Sequence, residues 1–302
     1  MTVSRFPSRL TEEYSAQMAL INADSANAKM IDHWNGEGGR SWVERRQLQG
    51  RLEAINAALF ARAAVQPGER VVDIGCGTGG TTIDLLRRVG PDGRVLGIDV
   101  SAPMLAQARE HLGNDPRLNL VQADATTYPF VEHSFDLALS RMGVMFFADP
   151  VKSFANIRRG LRHGGRLTFA CWRTLEENPW QALPSRAVLS VLPVQPTLDA
   201  EEPGGFSLGS EARLRRILGD AGFEAILLEP IDTERDIAQS GNLDDAVDAS
   251  LRAGPALRLL RDQPAELMSA ARAAVRQALM SHLRDGHIRL AAAAWIVSAR
   301  NP

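Results

Sequence analysis

The chain has 302 residues, with 34 Lys+Arg against 36 Asp+Glu, a formal net charge of -2, 45% hydrophobic and 23% charged residues. That composition suits a soluble globular protein and excludes a disordered chain, a collagen and a secreted disulfide scaffold. The balanced charge lacks a basic footprint, so no nucleic-acid partner is expected. Cys76 and Cys171 match no metal or redox spacing, which fits a reducing compartment. Residues 1–10 show no apolar core of a secretory signal, and no apolar run reaches bilayer length, so a cytoplasmic protein without stable membrane insertion is expected.

Residues 1–66 are helical in pattern: Leu48, Leu52, Ile55, Ala58 and Leu59 recur at helical spacing, and Pro67-Gly68 ends the run. Residues 67–172 alternate strand-like and helical runs. Arg70–Ile74, Arg94–Ile98, Leu118–Gln122, Phe135–Ser140 and Arg166–Trp172 read as strands, with four helices between them. Such alternation predicts a parallel sheet with helical crossovers. Ser101 is positioned to cap a helix carrying Met104, Leu105, Ala108 and Leu112 on one face. Asp149-Pro150 opens another, with Phe154, Ile157 and Leu161 inward, and Gly164-Gly165 reads as its left-handed stop.

Residues 173–222 are richer in Pro and Gly and read as an insertion. It ends in a helix from near Ser210 with Leu214, Ile217 and Leu218 apolar. The last 80 residues predict a strand at Glu224–Leu228, a helical stretch and a final strand at Ala292–Ala299. Within the stretch, Leu267, Ala271, Val275, Leu279 and His282 form one stripe, and the arginines of Pro264–Arg284 read as a solvated face.

The most informative segment is Val71-Val72-Asp73-Ile74-Gly75-Cys76-Gly77-Thr78-Gly79-Gly80, where the first strand should meet the first helix of the sheet. Glycines there let the backbone turn sharply and approach a ligand closely. The following helix N-terminus offers free N–H groups to an anionic group. Gly75, Gly77 and Gly80 satisfy the dinucleotide pattern G-x-G-x-x-G, which alone is weak. Asp73, two residues before the first glycine, changes the reading. A carboxylate is unwelcome beside a pyrophosphate but favours an ammonium or a sulfonium. Asp99 closes the second strand, where an acid can accept ribose hydroxyls. Asp124 follows the third strand.

With Asp73, the loop reads D-x-G-x-G-x-G and resembles motif I of the class I S-adenosylmethionine-dependent methyltransferases. Gly97-Ile98-Asp99-Val100-Ser101, Gln122-Ala123-Asp124-Ala125, Phe135–Ser140 and Leu161–Leu167 resemble that family's next landmarks, in family order across residues 69–172. The resemblance implies S-adenosylmethionine as cofactor and S-adenosylhomocysteine as product. It implies cofactor contacts at Asp73, Gly75, Cys76, Gly77, Gly79, Asp99, Val100, Met104, Asp124, Ala125 and Ser140, with Asp124 facing the adenine amino group. Asp73 acts either on the cofactor or by bonding the backbone around the loop. Asp136 is expected to be structural, and Cys76 a small loop residue with no nucleophilic partner.

Ser140-Arg141-Met142-Gly143-Val144-Met145-Phe146-Phe147 follows the fourth strand, which faces the methyl group in this fold. It lacks the Asn/Asp-Pro-Pro-aromatic tetrad of DNA amino-methyltransferases. Its Met and Phe residues suit an apolar or aromatic small acceptor and resemble the ubiquinone/menaquinone C-methyltransferase branch. The expected acceptor pocket comprises Trp34, Arg141, Met145, Phe146, Trp172, Trp180 and Phe206, with core packing as the rival for the tryptophans. Trp42 is expected to anchor a helix on the core. No catalytic residue stands out; His33, as a base, and Arg141, pairing an acidic acceptor or forming a salt bridge in the lid, are weak candidates. No metal cluster is visible in the sequence.

The sequence therefore predicts an α/β, Rossmann-like seven-stranded methyltransferase sheet, mostly parallel with an antiparallel last strand. A helical N-terminal lid spans 1–66 and the catalytic domain 67–302, with insertions at 173–222 and about 240–286. The expected reaction is methyl transfer to carbon or oxygen of a small, largely apolar or aromatic molecule. The alternatives are a non-catalytic cofactor-binding regulator and an N-methyltransferase of a small amine or protein. A homodimer stays open.

Overall fold

The structure is a computed structural model that describes residues 27–44, 52–194, 196, 199–238, 241–261 and 263–302. Its centre is a sheet built from β1 (Arg70–Ile74), β2 (Arg94–Asp99), β3 (Leu118–Gln122), β4 (Phe135–Arg141), β5 (Leu161–Trp172), β6 (Glu224–Asp236) and β8 (His287–Arg300). The strand order is β3-β2-β1-β4-β5-β8-β6, and the two-residue β7 (Leu283–Arg284) pairs with the start of β8. β1 to β5 are parallel, and β8 runs antiparallel to both β5 and β6. Only a strand inserted in reverse lets β6 run with the first five. The expected antiparallel last strand is therefore present.

Val71, Val72 and Ile74 of β1 and Leu137, Ala138 and Leu139 of β4 are buried because helices cover both faces of a parallel sheet. Ile55 and Leu59 of α3 (Glu53–Ala63), Leu85 of α4 (Gly80–Val89), Leu105 of α5 (Ala102–Leu112) and Phe154 and Ile157 of α6 (Pro150–Gly160) fill that core. The expected cap at Ser101 forms, its Oγ accepting from Met104 N–H, and the helices expected at Asp149 and Ser210 are capped too, Asp149 Oδ1 accepting from Lys152 N–H and Ser210 Oγ from Arg213 N–H. Ser210 starts α8 (Glu211–Asp220), whose Leu214, Ile217 and Leu218 are buried as predicted. Leu48 lies outside the described residues, as do 1–26 and the rest of 45–51 of the predicted lid. The remainder of the lid gives α1 (Ala28–Asn35), α2 (Glu37–Glu44) and α3.

Four local expectations are corrected. Three α-helices, not four, join the first five strands, because β3 reaches β4 through residues 123–134 without one. Pro129 blocks a helix there, and the Asn156 amide donates to the Ala125 and Tyr128 carbonyls of that loop. Helix α6 stops at Gly160, and Gly164, at φ +70°, lies inside β5. Asn301 takes over the chain end: its amide donates to Leu161 O and Arg162 O, and its carbonyl accepts from Gly164 N–H. β6 runs eight residues past Leu228 despite Pro230, since an edge strand tolerates a missing N–H. His282 lies beyond the end of α11 (Ala265–Met280) and is exposed, while Ala271, Val275 and Leu279 of its stripe are buried.

A second core, separate from the sheet's, joins α7 (Pro179–Leu189), α9 (Leu243–Leu251), α10 (Gly254–Leu260) and α11 to the first residues of β8. Here the arginine face of α11 is paired rather than simply solvated: Arg276 bonds Asp244 at 2.6 Å, and Arg272 pairs with Asp248. No helix among the described residues is long and apolar enough to cross a membrane.

Candidate functional site

The glycine loop lies at the C-terminal edge of β1. Gly75, Gly77 and Gly79 all have positive φ, at +68°, +56° and +87°. Gly75 and Cys76 donate their N–H groups to Ile98 O, which fixes the loop against β2. A Cβ at Gly75 would sit 2.9 Å from Gly143 Cα, so the turn after β4 packs directly on the loop. Ser140 fastens the same junction: its hydroxyl donates to Ile74 O at 2.7 Å and accepts from Gly143 N–H at 3.3 Å. Met104 reaches from α5 to Gly77, with its Cε 2.8 Å from where a Cβ would stand.

Three acids converge here. Asp73 is fully buried, and its Oδ2 accepts from the hydroxyls of Thr81 and Thr82 at 2.8 and 2.7 Å. These bonds tie the strand to the first turn of α4. Its Oδ1 is buried with no hydrogen-bond partner among the described residues. Burial raises the Asp73 pKa, against the two threonine bonds and the Arg141 charge. Asp99 Oδ2 accepts from Gly77 N–H and Oδ1 from Ser101 N–H, both at 2.8 Å. Burial raises its pKa to about 6, opposed by those N–H groups and aided by the Asp73 charge. Asp124 accepts from Thr126 N–H and from the amide of Asn27.

These residues fit an S-adenosylmethionine molecule. A buried carboxylate oxygen without a donor beside a glycine cradle suits an ammonium group, and acids at the ends of β2 and β3 suit hydroxyl and amine donors. Burial pushes the Cys76 thiol well above its ordinary pKa, so it stays protonated. Asp136 is structural: it accepts from Arg70 N–H and from Arg162 Nε.

The helices of the first segment cross the same edge. Asn35 donates to Val100 O and accepts from Ala102 N–H, Ser101 Oγ donates to Trp34 O, and Gln122 donates to Val100 O. Trp34 stands edge-on to Phe146, with centroids 5.0 Å apart, and to Trp42 at 6.2 Å. Trp42 is 39% exposed, so it does not anchor the core as expected; it packs on Trp34 at the surface. His33 is half-buried beside Trp34; burial and then Arg261 lower its pKa, against Glu37, and keep the ring neutral at neutral pH.

The remaining pocket residues form a second group. Met145 Sδ accepts from Trp172 N–H, and Met145 O accepts from Ser207 Oγ and Gly204 N–H, which latches the insertion onto the turn after β4. Trp172 lies 5.2 Å from Trp180, and Trp180 lies 6.5 Å from Phe206. Arg235 of β6 stacks over Trp180 at 4.3 Å. Arg141 ends β4. It donates to Asn56 Oδ1 at 3.3 Å, and Asn56 in turn donates to Asp84. Burial lowers the Arg141 pKa, while Asp73 and Asp84 oppose the shift. Among the described residues of the 1–66 segment, its partner is thus a neutral amide, not a salt bridge.

Sequence reasoning assigned no role to Asn27, Asn35, Asn56, Gly143, Asn178 or Arg235. Each has at least one partner 50 or more residues away, and no local pattern marks them. Asn178, fully buried, pins α7 by donating to Ala293 O and accepting from Ala293 N–H.

Residues 71–165 match the family described as methyltransferase domain. Among curated proteins, the chain is 38% identical to aklanonic acid methyltransferase DauC of Streptomyces sp. strain C5, over 34% of this chain and 47% of that one. It is 37% identical to demethylmenaquinone methyltransferase of Staphylococcus carnosus, over 33% and 42%. It is 29% identical to the ubiquinone/menaquinone biosynthesis C-methyltransferase UbiE of Stenotrophomonas maltophilia, over 54% and 69%. The chain thus spans less than half the length of the first two. The fold is similar to that of a Bacillus halodurans protein described as a methyltransferase, with TM-score 0.54 and 19% identity over 82% of this chain and 98% of that one. Residues 71–165 thus match a methyltransferase domain, set within a fold similar to that of a protein described as a methyltransferase.

Proposed function

We propose that the protein transfers a methyl group from S-adenosylmethionine to carbon or oxygen of a small, largely apolar or aromatic molecule. The observation that carries this reading is the adjacency of two surfaces on one turn. Gly143 packs on the cofactor loop, and two and three residues on, Met145 and Phe146 meet the aromatic residues Trp172 and Trp34. The named acceptors of two relatives, aklanonic acid and demethylmenaquinone, support a small organic acceptor.

In this reading Asp99 accepts the ribose hydroxyls, Asp124 faces the adenine amino group with Ala125 beside it, and Asp73 with the glycine loop holds the amino-acid end. Cys76, Val100, Met104 and Ser140 line that side. When bound, the cofactor supplies an electrophilic methyl group on a sulfonium. The residues of the chain then act mainly by positioning and by excluding water. Residues 27–44 and 52–66 form the described part of a lid, and the 173–222 and 240–286 segments roof the acceptor. Neutral His33 can take a proton from the acceptor, and the buried Arg141 favours an acceptor that carries or develops negative charge.

Titration calorimetry with S-adenosylhomocysteine and with NAD tests the cofactor. Binding of NAD with no response to S-adenosylhomocysteine overturns the reading. A methyl-transfer screen over quinols, phenols, keto acids and amines, with product mass analysis, tests the acceptor. Methylation confined to amines overturns the carbon-or-oxygen assignment, and cofactor binding without any transfer favours a binding protein.

A further inference from the structure

We propose that Asn27 is a positioning residue for the adenine of the cofactor, acting through Asp124 and tying the first helical segment to the acid that reads the base. The proposal rests on the reading of Asp124 given above. Asn27 is 5% exposed although it begins the described chain. Its amide nitrogen donates to Asp124 Oδ1 and Oδ2 at 3.0 and 2.9 Å and to Thr126 Oγ1 at 2.9 Å. Its side-chain oxygen accepts from Ala148 N–H at 2.6 Å. Its backbone carbonyl accepts from Met30 and Ile31 N–H, both at 2.9 Å, at the start of α1. One residue thus joins three segments: α1, the exit of β3 and the turn before α6.

The geometry leaves Asp124 able to act. A carboxylate offers about four lone-pair sites. The described donors use two at Oδ1, from Asn27 and Thr126 N–H, and one at Oδ2, from Asn27. The Asn27 amide therefore fixes the plane of the carboxylate and leaves room at Oδ2 for one more N–H donor, such as an exocyclic amine. Thr126 Oγ1, bonded in turn to Ser153 Oγ at 2.7 Å, holds the amide from its other side. A buried carboxylate turned out of plane, or left without these donors, would meet the amine with poorer geometry. Because the same residue anchors α1, docking of that helix and recognition of the base become thermodynamically linked.

The test compares S-adenosylhomocysteine with S-inosylhomocysteine, which lacks the 6-amino group, by calorimetry on the full chain. The proteins are wild type, Asn27→Ala, Asn27→Asp, Asp124→Ala and the Asn27→Ala/Asp124→Ala double variant. Asn27→Asp keeps the size of the side chain and puts a carboxylate against Asp124, so it remains informative if Asn27→Ala folds poorly. Expected is a loss of about tenfold for S-adenosylhomocysteine in either Asn27 variant, as for a hydrogen bond to a charged group. For S-inosylhomocysteine, and when Asp124 is already Ala, the loss should stay within about twofold. Hydrogen exchange should show S-adenosylhomocysteine protecting the α1 amides in wild type and not in Asn27→Ala.

Equal losses for both ligands, with Asp124→Ala still distinguishing them, would make Asn27 merely structural and overturn the proposal alone. Tighter binding on removal of Asn27 would make it a competitor of the base and also overturn it. If Asp124→Ala itself fails to distinguish the ligands, the adenine reading of Asp124 falls and the proposal falls with it.

Discussion

The carboxylate of Asp99 and the backbone N–H of Gly77 meet at 2.8 Å across 22 positions of sequence. The acid at the end of β2 is therefore part of the glycine loop's own framework as well as a candidate ligand group. Its replacement should affect both. Asp99→Ala should weaken S-adenosylhomocysteine binding at least about tenfold, as loss of charge-assisted hydrogen bonds does. Calorimetry at pH 8 measures it, and unchanged affinity would remove Asp99 from the ribose assignment.

The same residue predicts a pH dependence. Burial raises the Asp99 pKa to about 6, so near that pH the folded protein holds a proton that the unfolded chain, with a pKa of about 4, has lost. The group's contribution to folding stability is thus fully present below pH ~4 and is lost as pH rises through about 6. Ligand binding should show the opposite trend, because the ionised form is the better acceptor of ribose hydroxyls. Affinity for S-adenosylhomocysteine should fall as pH drops through about 6, and Asp99→Asn should flatten that fall. A wild-type profile level from pH 8 to 5 would contradict this.

Asp73 gives a test of the loop's mechanical support. Asp73→Ala strands the hydroxyls of Thr81 and Thr82, which both donate to Oδ2. Removal should cost about 2–4 kcal/mol, two buried hydrogen bonds' worth. Asp73→Asn keeps one acceptor oxygen for them and should cost less than about 1.5 kcal/mol. Urea unfolding distinguishes the two variants; equal losses would show that the threonine bonds do not matter.

Gly143 gives a test of contact between loop and turn. Its φ of −87° suits any residue, so the obstacle to a side chain is space. An added Cβ would lie 2.9 Å from Ile74 O and 3.0 Å from Gly75 Cα. Gly143→Ala should cost about 1–3 kcal/mol, as overpacking does, and should weaken S-adenosylhomocysteine binding because the loop must move. Thermal melts and calorimetry on one preparation check both effects, and an unchanged melting temperature with unchanged binding would refute the contact.

Trp34 tests the acceptor side of the proposed reading. Trp34→Ala removes its edge-to-face contact with Phe146. An aromatic pair of that kind carries about 0.5–1.5 kcal/mol. The acceptor KM should therefore rise roughly three- to tenfold while S-adenosylhomocysteine affinity changes by less than about threefold. Steady-state kinetics with the acceptor found in the screen decides it; a larger effect on the cofactor would place Trp34 on that side.

The sequence by itself determined the sheet and its loop. Short apolar runs, glycines where φ must be positive, and acids at strand ends are local requirements, so β1 to β4 and the positions of Asp73, Asp99 and Asp124 are legible in it. Capping is local too: Ser101 caps as its neighbours predict, and Asp149 and Ser210 cap the helices expected to start there. What only the tertiary structure decided lies in polar contacts between distant segments. Asn27 reaches Asp124 across 97 positions, Asn178 reaches Ala293 across 115, and Asn301 reaches Leu161 across 140. An asparagine has no periodicity, and its partner is set by how layers stack. The ends of α6, β5 and β6 were missed for the same reason, since distant hydrogen bonds and an open sheet edge, not local preference, set them.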